Sequence, residues 1–253
     1  MNLRYIALDC EYNYPSDSFY QRFRANTNFI QDYLSKEIRK QKLPIFDDFN
    51  MICVKLSSTP SSIRLLPSLK VLEVNLLVEK SELEFYEQMR TLEERCEFCL
   101  SLLERGYRLA SLSCHLPLEQ LLDLHERFKQ IGYLDEWLIK RLTLRPQGVK
   151  ISLIGCFTAF DFHVTLKAVN NKTATVITEQ VIIRTDPYWV CFEKDIKNIH
   201  IENNDIIIED SFGNINVMIS LSELIAGKVA ATYSSAFSDR MKKYEKSIQR
   251  LTW

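Results

Sequence analysis

The chain has 253 residues, of which 46% are hydrophobic and 11% aromatic. That is apolar mass enough for a sizeable core and too much for a disordered chain. Its 32 Lys and Arg against 33 Asp and Glu leave a net charge of -1, without the basic excess expected of a protein that lives on nucleic acid.

Taken in chain order, residues 3–12 alternate as a short strand, "IALDCEY", with Ile6, Leu8 and Cys10 on one face and Asp9 and Glu11 on the other. A helix is predicted from about Ser18 to Lys40, its apolar face carrying Phe19, Phe23, Phe29 or Ile30, Tyr33, Leu34 and Ile38. Arg and Lys gather in its last turn, and Pro44 ends it. "FNMICVKLSS" (49–58) and "LKVLEVNLLVE" (69–79) read as strands, with residues 59–68 a Pro- and Ser-rich loop between them. The spacing of Tyr86, Met89, Glu93, Cys96, Leu100 and Leu103 predicts one helix over 82–105, closed by Gly106 at its C′ position. Pro117 opens another that runs to Ile131, with Leu118, Leu121, Leu122, His125 and Phe128 facing inward.

From residue 135 the period changes to two. "DEWLIKRLTLRP" alternates, and six further strand-like segments follow between Val149 and Leu221. Turn signals at Asn170-Asn171, Asp186-Pro187, Asn203-Asn204 and Gly213-Asn214 separate them. A basic amphipathic helix over about 235–251 ends the chain. The expected fold class is therefore α+β. A mixed lobe of strands and helices spans 1–134. A C-terminal antiparallel β meander with a terminal helix spans 135–253, and the two form one compact unit.

Only 6 residues are Gly, and the Gly-rich phosphate loops, the G-x-S-x-G elbow and H-E-x-x-H are all missing from the sequence. The 7 cysteines are scattered among apolar residues, no long apolar segment opens the chain, and no apolar run is long enough to span a bilayer. These features predict a cytoplasmic protein with buried free thiols and no membrane association.

Four sets of residues could carry chemistry. Asp9 and Glu11 form an Asp-x-Glu on one strand edge, the opening of exonucleases that hold two Mg²⁺ on four carboxylates. Asp123 or Asp135 would be the middle acid, and His200 and Asp205 have the spacing of the last motif. Against this, "IHIENNDIII" reads as a hairpin where such exonucleases have a helix. Cys96-x-x-Cys99 lies more than three turns inside a helix, away from the N-terminus that would lower a thiol pKa, so buried structural thiols outweigh a zinc site with Cys114 and His115. A Cys114/His163 nucleophile pair has no specific support. The last set is acidic and aromatic: Glu11, Tyr12 and Tyr14; Asp47 and Asp48; Asp186, Tyr188, Trp189 and Glu193. Tyr and Trp are favoured interface anchors, and acids around them suit a basic partner.

The segments "FDDFNMICVKLSS", "LKVLEVNLLVEKSELEFYEQM", "GYLDEWLIKRLTL", "FDFHVTLKAV", "VIIRTDPYWVCFEKDI" and "DIIIEDSFGNINV", over roughly residues 46–220, together resemble a group of bacterial immunity proteins encoded beside polymorphic or contact-dependent toxins. The resemblance implies a non-enzymatic cytoplasmic protein that binds one toxin domain and neutralises it, with no cofactor, no metal and no nucleic acid. A Mg²⁺-dependent exonuclease using Asp9 and Glu11 is the alternative, and a structural or regulatory interaction module is the other.

Overall fold

The alternation at the start of the chain builds the first sheet. In β1 (Tyr5–Cys10) Ile6, Leu8 and Cys10 are buried, while Tyr5, Ala7 and Asp9 point to the open side. β1 runs parallel to β2 (Met51–Ser57), which runs parallel to β4 (Val71–Leu77); β3 (Ser62–Leu66) adds to β4 antiparallel. The order across the sheet is β1-β2-β4-β3. Leu8, Val54 and Val74 lie side by side on the buried face, and Asp9, Lys55 and Asn75 on the open one.

The structure, a computed structural model, describes residues 1–187 and 192–251, without the side chains of 192, 193, 247 and 249–251. It divides into two compact units, Met1–Asp135 and a second from Glu136 onward.

Helices cover one face of the first sheet. α1 (Asp17–Gln41) starts at Ser16, whose hydroxyl accepts from the Phe19 amide, and its buried stripe includes the expected Phe19, Phe23, Phe29, Ile30, Tyr33, Leu34 and Ile38. It also closes the sheet's outer edge. Ser35 Oγ accepts from the Ile6 amide at 3.0 Å, and Gln31 Nε2 donates to the Leu8 carbonyl at 3.0 Å, so the unpaired backbone of β1 is satisfied by side chains.

The helix expected over 82–105 is two. α2 (Lys80–Gln88) ends at Met89, and α3 (Leu92–Ala110) starts afresh at Thr91. Thr91 Oγ1 accepts from the Glu94 amide while the Glu94 carboxylate accepts from the Thr91 amide, a reciprocal cap that outweighs the continuous apolar period. Gly106 does not close α3. It lies four residues inside the end, where the helix presses on β2: a Cβ there would sit 2.8 Å from Val54 Cγ1. The loop expected over 59–68 contains β3, a short edge strand between Pro60 and Pro67. α4 (Leu118–Gln130) buries Leu121, Leu124, His125 and Phe128, with Pro117 as its cap.

The second unit is antiparallel. β5 (Asp135–Leu144), β6 (Val149–Phe157), β7 (Phe162–Asn170) and β8 (Val176–Thr185) form one sheet in that order. β9 (Asn198–Glu202), β10 (Asp205–Glu209), β11 (Ile215–Ser220) and β12 (Ala231–Tyr233) form another. The β-rich region thus holds two successive four-stranded meanders. α5 (Phe192–Asp195) precedes β9, α6 (Leu221–Ile225) follows β11, and the terminal helix α7 (Ser235–Leu251) packs against β8 with Phe237 fully buried. Among the described residues no helix is long and apolar enough to cross a membrane.

Candidate functional site

The Asp-x-Glu pair is built into local structure. Asp9 Oδ1 accepts from the Cys10 amide at 2.9 Å and lies 3.4 Å from Arg24 Nε on α1. Glu11 Oε2 accepts from Ser57 Oγ at 3.1 Å, across the ends of β1 and β2. The other members of a four-carboxylate set are placed elsewhere. Asp123 pairs with Arg127 on exposed α4 at 2.7 Å, and Asp135 is buried against Lys36. His200 and Asp205 belong to the second unit, in the Asn203-Asn204 hairpin, where His200 faces Ile207 and Asp205 faces Glu202. Among the described residues no three His, Cys, Asp or Glu side chains converge as metal ligands.

The thiols are packed. Cys96 and Cys99 are about 1% exposed on α3, and burial pushes the Cys99 thiol up to about 12, far from a reactive thiolate. The six described cysteines are all free. His125 is buried between α3 and α4 beside Tyr107, and burial pulls its pKa down to about 4, so it is neutral at physiological pH.

The acidic and aromatic candidates fall in three places. Glu11, Tyr12 and Tyr14 follow β1 at the C-terminal end of the parallel strands. Tyr12 packs edge-on against Tyr20, and Tyr14 donates its hydroxyl to the Val78 carbonyl at 2.6 Å, so Tyr14 is tied into the unit. Asp47 and Asp48 precede β2, at the opposite end of the sheet. Asp186 is half-buried in the second unit; Tyr188 and Trp189 lie outside the described residues, and Glu193 is described by its backbone alone. Within the first unit the residues after β1 and the pair Asp47 and Asp48 lie at opposite ends of the sheet.

One of the three places has large exposed apolar side chains nearby in the chain. Asp47 Oδ2 accepts from the His115 amide at 3.3 Å, joining the segment before β2 to the α3–α4 connection. The same carboxylate helps to raise the Cys114 thiol pKa, after burial. In the chain next to these two residues are Phe46, 86% exposed and one position before Asp47, and Leu112, 81% exposed and three positions before His115; Asp48 is exposed as well. Large apolar side chains this bare, flanked by carboxylates, are the composition of a binding patch.

Of the acids on the helices of the same hairpin, sequence reading singled out Asp123 alone. Glu97, Glu104, Glu119, Asp123 and Glu126 line a groove of about 440 Å³ between α3 and α4. Lys129 is its single lining cation, held 3.0 Å from Glu97 and 3.1 Å from Glu126. Only the pairing of α3 with α4 brings these acids into one groove.

A second missed cluster lies in the second unit. Cys156, His163 and Arg184 face one another in one rung across β6, β7 and β8. The Asp161 carboxylate accepts from His163 Nδ1 at 3.1 Å, from Arg184 Nε at 2.8 Å and from Thr158 Oγ1 at 2.8 Å. Burial alone would raise the Asp161 pKa; the bonds from His163 and Thr158 override it and hold the acid low. His163 is driven up to about 9, by its bond to Asp161 first and by Cys156 second. A protonated imidazole cannot take a proton from a nucleophile, and Cys156 is only 8% exposed, so this rung braces the sheet.

Compared with protein-family models, with curated proteins and with solved structures, the chain matches none.

Proposed function

We propose that the protein is a non-enzymatic binding protein of the immunity type, which captures a basic toxin domain through the end of its first unit. The observation that carries this reading is the pair Phe46 and Leu112. Both are large, apolar and more than four-fifths exposed, and each lies within three residues of the Asp47–His115 bond, which ties their two segments together. Anchors held on ordered backbone bind at low entropic cost. The acids Asp47 and Asp48 beside them, and the acidic groove between α3 and α4, favour a partner with a basic face and speed its capture. The Asp9–Arg24 and Glu11–Ser57 contacts supply a structural role for the carboxylates that a nuclease would need free.

Co-expression tests the reading. Cells that express a toxin domain encoded beside this chain should survive when the chain is co-expressed, and die when it carries Phe46→Ala and Leu112→Ala. Survival lost without the chain and not restored by it would overturn the proposal.

A further inference from the structure

Beside the C-terminal end of α1 the first unit holds a second groove, of about 480 Å³. Its charged side chains are Arg4, Arg39, Lys42 and Lys70, with Asn2 and Asn50 as further polar side chains; Met1, whose ammonium donates to the Ile45 carbonyl, also lines it. No carboxylate lines it, and none of the four cations forms an ion pair among the described residues. Uncompensated like charges facing one cavity repel one another, so their convergence calls for an anion.

The backbone supports the same conclusion. Lys42 has φ 53° and Lys70 φ 55°, both in the left-handed region that glycine or asparagine usually occupies. Lys42 closes α1, its amide donating to the Ile38 carbonyl at 3.0 Å; Lys70 sits in the turn before β4, its carbonyl accepting from the Asn50 amide at 2.9 Å. The chain thus carries a lysine at each of two strained positions where glycine would relax the fold, and both lysines line one cavity. The two arginines are preset as well. The Arg39 guanidinium lies 5.5 Å and that of Arg4 5.8 Å from the Tyr5 ring centre, and Arg39 Nη1 donates to the Arg4 carbonyl at 3.4 Å. The α1 C-terminus favours a cation at Arg39 and Lys42 through its dipole, but it does not account for Arg4 or Lys70, which come from the sheet.

We infer that this groove is a binding site for a small polyphosphate anion, held by Arg4, Arg39, Lys42 and Lys70. The cations converge on one concave volume of small-ligand size, where an extended nucleic-acid strand would need them spread along a track. Two guanidiniums and two ammoniums match the several charged oxygens of linked phosphates better than a single carboxylate. Gly-rich phosphate loops are not involved: the donors are side chains. The site stands independently of the toxin-capture reading, whose anchors are Phe46 and Leu112.

Isothermal titration of the full chain with inorganic tripolyphosphate, at low and at moderate salt, tests the site. The expected result is one saturable site whose affinity falls with salt. Lys42→Gly and Lys70→Gly should each weaken it about tenfold, as loss of one charge-assisted contact does, while the thermal midpoint holds or rises because the left-handed strain is removed. Adenosine triphosphate should compete with tripolyphosphate, and citrate should bind at least about tenfold more weakly. No binding by the wild-type chain, or binding unchanged in both glycine variants, would overturn the proposal. So would citrate binding as tightly as tripolyphosphate, which would assign the groove to acidic peptides.

Discussion

Gly106 of α3 rests directly on Val54 of β2. A Cβ at position 106 would sit 2.8 Å from Val54 Cγ1 and closer still to Cγ2, and Val54 is fully buried in a central strand. In an open helix, Gly→Ala would gain about 1 kcal/mol of propensity. Here overpacking of about 1–3 kcal/mol opposes it and wins. Gly106→Ala is expected to lower the urea midpoint of the first unit at unchanged m-value. An unchanged or raised midpoint would show that α3 does not press on the sheet.

The Asp161–His163 pair gives the second unit a pH signature. His163 is raised from its ordinary 6.5 to about 9. Its contribution is fully present below pH 6.5 and is lost as pH rises through 9, on the order of 3 kcal/mol for a mostly buried pair. Asp161 is lowered, so its contribution is present above the ordinary carboxylate range and disappears in acid. His163→Gln should flatten the stability profile between pH 6.5 and 9, read by chemical denaturation across that range. An NMR titration of His163 should find it protonated at neutral pH.

Lys36 carries two carboxylates. Its Nζ lies 3.1 Å from Asp135 Oδ1 and 2.5 Å from Asp32 Oδ2, and Asp135 is 3% exposed. Burial raises the Asp135 pKa; Lys36 opposes this and Asp32 adds to it. A raised acid binds its proton more tightly in the folded state, so stability falls as pH rises past the ordinary carboxylate range. Asp135→Asn should therefore be tolerated and should lessen that fall. Lys36→Met leaves two buried acids unpaired and should cost about 3–5 kcal/mol. Equal melting of the two variants at neutral pH would refute the assignment.

Much of the first sheet was legible because alternation reports burial directly. Ile6, Leu8 and Cys10 face the helices as their spacing predicts, and the Asn203-Asn204 turn makes the expected hairpin, with His200 and Asp205 diagonal to one another across it. What failed were features set by competing local chemistry or by tertiary contact. The apolar period from Tyr86 to Cys96 hid the break at Met89–Thr91, although Thr91-x-x-Glu94 was a readable cap signature. Gly106 looked like a helix stop because its neighbour Val54 lies 52 positions away in sequence and was invisible there. The proposed binding patch was half legible: Asp47 and Asp48 were marked, but Leu112 and the helix acids gain meaning only from the α3–α4 pairing and the Asp47–His115 bond. The basic groove was illegible, since Arg4, the α1 end with Arg39 and Lys42, and Lys70 come from three separate segments.

Phe46→Ala and Leu112→Ala should each change folding stability by less than about 0.5 kcal/mol, because both side chains are bare in the free protein. Thermal melts of the two variants should overlay the wild type. A marked loss would place these side chains in the core rather than on a binding surface.

The most direct measurement of the proposed capture is the affinity of the chain for any toxin domain found encoded beside it, by calorimetry, for wild type, Phe46→Ala, Leu112→Ala and Phe212→Ala. Phe212 is 82% exposed in the second unit and serves as the control. Tight wild-type binding is predicted to weaken by about 2 kcal/mol or more for each of the first two variants, as for anchor residues, and to stay unchanged for the third. Absence of wild-type binding, or equal affinity for all four proteins, would contradict a binding surface built on Phe46 and Leu112.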